Sequence, residues 1–260
     1  MKYPLTCLEG NNNLALVSVP VRPFAGDIAL GSGTGFLFQP AFERIFLITN
    51  RHLVIEESDH FYPDHLMLKL HTDAFDLRKS EDWTVQLYSE EEKRERVWLE
   101  LDPGIDVIAL ELKHSDLKRF VFHTFRPIDL ISSDIVIGIG DPLLVIGYPR
   151  GFSDDVHNLP VFRQASVASV YPIPFQGNPY FLIDSELHPG TSGSPVITQP
   201  STVLVKKEGA EEFEERQYRL IGIHSATYSD LKLNVVWFAD LLMDLCRKAT
   251  GIEIGEGWEV

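Results

Sequence analysis

Apolar residues in this chain gather in short runs separated by glycine, proline, asparagine and charged residues. Leu14, Leu16, Val17 and Val19 precede Pro20, and further on Ile45-Phe46-Leu47-Ile48 is continuously apolar. The pattern predicts strands at residues 14–21, 35–38, 45–49, 66–71, 83–88 and 106–112. A second set is predicted at 135–138, 143–147, 161–171, 180–184, 195–198, 202–205 and 218–223, with 113–127 as the connection. Helical crossovers between the runs are missing, which argues for antiparallel barrels and against a parallel sheet. Near the end the period changes. Phe238, Leu241, Leu242 and Leu245 fall at i, i+3, i+4 and i+7, one face of a helix over 237–250. Arg247 and Lys248 suit its C-terminal dipole, and Gly251 can cap it. The expected fold is all-β: two six-stranded antiparallel barrels, 14–120 and 128–236, with a C-terminal helix, in a single unit spanning 1–260. Charged stretches at 56–60, 90–92 and 206–216 read as solvated loop or hairpin tips.

Candidate chemistry sits between two of these strands, in Gly190-Thr191-Ser192-Gly193-Ser194-Pro195. Two glycines around a serine permit a tight loop that aims the N–H groups of Gly190 and Ser192 at one point above the Ser192 hydroxyl. A nucleophile beside two convergent donors suits acyl transfer, whose intermediate carries its charge on one oxygen. An ordinary Gly/Ser turn has the same composition. Upstream, His52 lies just past the apolar run 45–48, and Asp106 opens the β-patterned run Asp106-Val107-Ile108-Ala109-Leu110. A serine hydroxyl needs a neutral imidazole to take its proton and a carboxylate to fix the imidazole tautomer. The order His, Asp, Ser is that of chymotrypsin, not of subtilisins or α/β-hydrolases. An α/β-hydrolase elbow also needs glycine two residues after the serine, where this chain has Ser194. Asp102 competes with Asp106 but precedes the turn Pro103-Gly104 and ranks below it.

With these segments together, the chain resembles the trypsin/chymotrypsin-like serine peptidases, closest to the bacterial HtrA-like branch, over about residues 30–240. Gly31-Ser32-Gly33-Thr34-Gly35-Phe36-Leu37-Phe38 resembles the first barrel's motif, and Leu47-Ile48-Thr49-Asn50-Arg51-His52-Leu53-Val54 the histidine motif. The stretch from Ile183 to Pro195 is similar to the serine loop, and Gly222-Ile223-His224-Ser225-Ala226 to the strand lining the specificity pocket. The resemblance implies a serine endopeptidase with Ser192 as nucleophile, His52 as base then acid, and Asp106 as orienter. Gly190 and Ser192 supply the oxyanion hole, and Leu187, His224, Ser225, Ala226 and Thr227 are the expected substrate-binding residues. It also implies a polar loop from Gly147 to Pro160 that helps order the site, and a helix packed on the second barrel.

Pocket signs conflict. Glu186 falls, by offset, where trypsin has its carboxylate, whereas His224 falls where glutamyl endopeptidases carry a histidine. Leu187 matches the aliphatic residue of HtrA-like enzymes. The expected preference before the scissile bond is a medium aliphatic residue, then Glu/Gln, then Arg/Lys, with Glu186 turned outward because an unpaired buried carboxylate is costly. Thr191 stands where trypsin-type zymogens carry an aspartate, so no N-terminal processing is expected.

Composition narrows the partners. The 260 residues hold 23 Lys plus Arg against 38 Asp plus Glu, a net charge of −15. Such acidity disfavours nucleic acid and anionic membranes; a protein or peptide is the expected partner. No apolar run is long enough for a membrane helix. Cys7 and Cys246 suggest no disulfide framework, and the N-terminus shows no signal-peptide pattern, so a cytoplasmic setting is expected. His60, Asp64, His65 and His71 show no metal-ligand spacing; no metal or cofactor is expected. No internal repeat and no PDZ-like extension is evident. Two other functions stay open: a catalytically silent fold that binds extended peptides by strand addition, and a peptidase triggered by a partner.

Overall fold

The structure is a computed structural model that describes residues 10–89, 95–205, 213–228 and 230–250. Sixteen strands form among them. The first eight are β1 (Ser18–Ala25), β2 (Ile28–Ala29), β3 (Gly33–Ala41), β4 (Arg44–Thr49), β5 (His65–His71), β6 (Ser80–Gln86), β7 (Trp98–Glu100) and β8 (Ile108–Leu112). They make one antiparallel sheet in the order β6-β5-β1-β3-β4-β8-β7, with β2 on β1. The sheet curls until β6 and β7 nearly meet, through the bridge Tyr88–Arg96 just beyond their ends. The first barrel is thus a curled eight-stranded sheet and not a closed ring of six.

The second set is β9 (Pro142–Gly147), β10 (Val161–Val167), β11 (Tyr180–Asp184), β12 (Pro195–Thr198), β13 (Ser201–Val205), β14 (Phe213–Gln217), β15 (Leu220–Tyr228) and β16 (Leu233–Phe238). Six of these close the barrel β10-β11-β16-β15-β12-β9, and β13-β14 is a separate hairpin. The all-β class, the six-stranded second barrel and the C-terminal helix follow the sequence pattern.

Departures from the expected strands have local causes. The predicted strand 14–21 splits into a 3₁₀ turn (Gly10–Leu16) and β1, which continues through Pro20 and Pro23 to Ala25. Pro20 is paired with β3 alone and Pro23 with β5 alone, so neither missing N–H interrupts two ladders. Residues 135–138 are not a strand. Gly140 has φ 86° and Asp141 Oδ2 accepts from the Gly138 N–H at 2.7 Å, which makes this a turn into β9. β16 extends to Phe238 and the helix starts at Leu241, because Trp237 and Phe238 belong to a buried strand. The tips 90–92 and 206–212 and Gly251 lie outside the described residues.

Three apolar clusters hold the molecule. One fills the first sheet, around Leu37, Leu47, Leu68 and Leu110. A second fills the closed barrel, around Val145, Phe181, Ile183 and Val236. The third bridges them, joining Phe36, Phe46 and Phe125 to Ile146, Leu220 and Trp237. At about 1.5–3 kcal/mol for each large side chain removed from water, this third cluster contributes much of the attachment between the halves. The helix α2 (Leu241–Thr250) seats Leu241, Leu242, Leu245 and Cys246 in it. Beyond the expected packing beside second-barrel residues such as Tyr180 and Leu182, α2 also lies on β7 and β8 of the first sheet, where Lys248 Nζ donates to the Glu100 carbonyl at 2.7 Å.

Candidate active site

β4 ends at Thr49, and the chain turns at once into a 3₁₀ turn, Arg51–Leu53, that carries His52. Two interactions aim this turn. Asn50 Nδ2 donates to the Asp106 carbonyl at 2.6 Å, and the His52 backbone N–H donates to Asp106 Oδ1 at 2.9 Å. Asp106 stands just before β8, the strand paired with β4, so the β4–β8 ladder brings the two residues together across 54 positions. The second carboxylate oxygen, Oδ2, lies 2.7 Å from His52 Nδ1 and accepts from the Ser225 hydroxyl at 2.5 Å. A carboxylate accepts, so Nδ1 is the donor in this hydrogen bond and Nε2 is the ring nitrogen left facing away from Asp106. Asp102 is otherwise employed: its Oδ1 accepts from the Gly104 N–H at 2.7 Å.

Behind His52, the buried Arg51 holds the turn from below. Its guanidinium grips both oxygens of Glu57, at 2.8 and 2.9 Å, and Nε donates to Glu100 at 2.9 Å. That grip lowers the Glu57 carboxyl to about 2 and raises the guanidinium above its ordinary range.

Ser192 is delivered by the loop between β11 and β12. Gly190 (φ 95°) and Gly193 (φ 85°) take left-handed conformations that disfavour other residues. Space excludes them as well: a Cβ at Gly193 would lie 2.0 Å from the Thr34 carbonyl oxygen. Thr34 stitches this loop to β3. Its N–H donates to the Ser192 carbonyl at 2.8 Å, its hydroxyl donates to the Gly190 carbonyl at 2.8 Å, and the same oxygen accepts the Tyr148 N–H at 3.0 Å. From the other side, Gly193 N–H donates to the His224 carbonyl and His224 N–H to the Ser194 carbonyl, at 2.8 and 2.9 Å.

One peptide orientation matters most. The Pro189 carbonyl accepts the Arg150 N–H at 2.5 Å, and a trans peptide then points the Gly190 N–H the opposite way. Neither the Gly190 nor the Ser192 N–H has an acceptor among the described residues. The Ser192 hydroxyl donates to the Ser225 carbonyl at 3.2 Å and has no hydrogen bond to His52.

The expected substrate-binding residues divide. Leu187 and His224 are buried, Leu187 in the barrel core. His224 donates from Nδ1 to the Thr191 carbonyl at 2.9 Å, and burial lowers its pKa to about 4, so it is neutral. Ser225 gives its hydroxyl to Asp106 and its carbonyl to Ser192. Ala226 and Thr227 are exposed, and Thr227 Oγ1 donates to Asn234 at 2.8 Å. The β15–β16 register slips between His224 and Thr227, leaving Ser225 and Ala226 out of that ladder beside Ser192. Glu186 faces outward, 62% exposed, with Lys232 Nζ at 3.6 Å.

Residues 33–204 match the trypsin-like peptidase domain. The chain belongs to this family. Among solved structures, this peptidase is similar to the serine endoprotease of Yersinia pestis, with 14% identity and a TM-score of 0.55. The alignment covers 91% of this chain and 64% of that one, so the chain spans less than two thirds of that protein. It is also similar to the active form of the Rv3671c protease from M. tuberculosis, at 17% identity and TM-score 0.53, covering 99% and 92% of the two chains. At such identities the likeness is one of fold. No curated protein matches the chain. Thr34 and Asn50 are contributors that the sequence motifs did not single out, whereas Arg150 lies in the 147–160 loop that the resemblance implies helps order the site. For Thr34 the signal was Gly33-Thr34-Gly35, a run of small residues opening a strand, where backbone comes close to backbone.

Proposed function

We propose that this peptidase is a serine endopeptidase, with the triad Ser192, His52 and Asp106 and an oxyanion hole made by the Gly190 and Ser192 N–H groups. One observation carries the reading: Asp106 accepts from the His52 N–H, the His52 ring and the Ser225 hydroxyl together. This fixes the tautomer in which Nε2 can take a proton. The Ser192 hydroxyl turns from the Ser225 carbonyl toward Nε2, gives up its proton there, and its oxygen attacks the scissile carbonyl carbon. The resulting oxyanion is held by the two free N–H groups. His52 returns the proton to the leaving amine, and the C–N bond breaks. Water then repeats the sequence on the acyl-enzyme, and the acid leaves as Ser192 regains its proton.

The substrate is an extended protein or peptide segment laid along Ser225–Thr227. Before the scissile bond it carries a medium aliphatic residue, because Glu186 is turned out to Lys232 and a neutral His224 offers no charge. Selectivity is broad, since one methylene in such a pocket changes rates only ~10–200-fold. No helix among the described residues is long and apolar enough to cross a membrane; a cytoplasmic setting is part of the proposal. The bond from Ser192 to the Ser225 carbonyl favours a second reading, in which a partner or substrate must move the hydroxyl before the chain cuts.

Hydrolysis of internally quenched peptides tests the assignment. Ser192→Ala and His52→Ala should each lower the rate by several orders of magnitude while circular dichroism stays unchanged. Retention of the wild-type rate by either variant ends the serine-peptidase reading.

A further inference from the structure

A cavity of about 480 Å³ opens beside His52, walled by Ala25, Leu30, Glu56, Asp59, His60, Phe61 and Tyr62 together with His52 itself. Its construction is local. Glu56 and Phe61 exchange both backbone hydrogen bonds, at 2.9 and 3.0 Å, closing a short hairpin just after the His52 turn. Within this hairpin the acidic side chains are sorted. Glu57 is taken by Arg51, with Arg96 at 3.7 Å. Among the described residues Glu56 accepts only from Ser58, at 3.2 Å from its N–H and 2.8 Å from its hydroxyl. Asp59 has no donor or cation among the described residues. Among the described residues neither Glu56 nor Asp59 is paired with a lysine or arginine, and the two carboxylates share a wall with two aromatic rings and the His52 and His60 imidazoles.

That combination suits a particular side chain. A lysine or arginine head pairs with carboxylates, while its stem and, for arginine, its planar guanidinium lie against rings. The apolar rim formed by the exposed Leu30 and Tyr62 suits the stem. Position says which part of a substrate reaches it. The cavity touches Leu30, just before the strand whose Thr34 holds Ser192, and none of Ser225–Thr227 lines it. A peptide whose acyl half lies along Ser225–Thr227 passes His52 and enters the cavity with the half that departs as amine.

We propose that this cavity binds a lysine or arginine side chain within the first three residues after the scissile bond. The inference rests on the peptidase reading for its direction, and it names the substrate class of that same site.

The test uses the Ser192→Ala chain, so it does not depend on turnover. Fluorescence anisotropy compares labelled peptides that differ only in carrying Lys, Arg, norleucine or Glu at each of those three positions. At one of them Lys or Arg should bind about 5-fold tighter than norleucine, the range for partly exposed charge pairs. Adding Glu56→Gln and Asp59→Asn should erase the advantage, and Asp59→Lys should shift it toward the Glu peptide. Raising salt from 0.05 to 0.5 M should shrink it, because exposed charges are screened. Equal binding of Lys, Arg and norleucine peptides at all three positions overturns the proposal, as does an advantage that survives the neutral variants. Fluorophosphonate labelling of the wild-type chain reports separately whether Ser192 is reactive, so a failure of the cavity and a failure of the peptidase reading are distinguishable.

Discussion

Replacing Thr34 by valine removes one hydroxyl and keeps the side chain's shape. Thr34 is fully buried, and its Oγ1 both donates to the Gly190 carbonyl and accepts the Tyr148 N–H. The substitution therefore orphans two backbone groups in a dry seam. Each costs about 1–3 kcal/mol when left unpaired, so the pair costs roughly 2–6 kcal/mol. Against a total stability of about 5–15 kcal/mol this is a large fraction. At about 2–4 °C for each kcal/mol, Tm should fall by at least about 4 °C. The Gly190 carbonyl also loses the anchor that, with Arg150 on the Pro189 carbonyl, sets which way the Gly190 N–H points. Labelling by a fluorophosphonate should consequently slow more than the lost stability explains. Thermal melts and labelling kinetics on Thr34→Val, with Thr34→Ser as the variant that keeps the hydroxyl, read both effects. A Thr34→Val protein with wild-type Tm and wild-type labelling would show that the Thr34 hydroxyl does not anchor the Ser192 loop.

Other outcomes follow from the same geometry. His224, held neutral by burial with a folded pKa near 4, binds a proton in the unfolded chain below about 6.5 but not in the folded one. Stability should therefore fall as pH drops from 6.5 to 4, by about 3 kcal/mol from this residue. The buried His71 and the half-buried His123 act in the same direction. Urea titrations at stepped pH should show the slope, and His224→Gln should flatten it; an unchanged slope contradicts the assignment. Ser225→Ala removes one of three donors to Asp106 and should reduce kcat about 10-fold, less than Asp106→Asn, which favours the wrong tautomer; steady-state kinetics on the pair decide it. Gly193→Ala meets the Thr34 carbonyl at 2.0 Å with φ at 85°, so labelling of Ser192 should be lost. A Gly193→Ala chain that labels normally would mean the loop takes another path.

Much of this was legible because it is local. Ile45–Ile48 is buried on both faces, reads as a strand in any context, and places His52 at its end. Asp106 and Ser192 stand out by residue type and order. Other features depend on contacts that sequence spacing does not display. β7 is three residues long and exists because Trp98–Glu100 has β8 to pair with. Thr34 reaches Gly190 across 156 positions, and no local pattern announces that contact. The helix was visible in its period, yet its seat on β7 and β8 was not, since an apolar stripe does not name its partner. Glu186 shows two cues in competition: its offset from Ser192 suggests a pocket carboxylate, but the cost of burying an unpaired carboxylate predicts the outward position it takes against Lys232.

On the proposed function, Ser192, activated by His52 and Asp106, is a nucleophile beside two N–H donors that no other described residue occupies. Intact mass spectrometry after exposure to a fluorophosphonate, with peptide mapping of the adduct, tests it most directly. One adduct should form on Ser192 in the wild-type chain, none on Ser192→Ala, and far more slowly on His52→Ala. A folded wild-type chain that takes no adduct, or takes one at another serine, would contradict it.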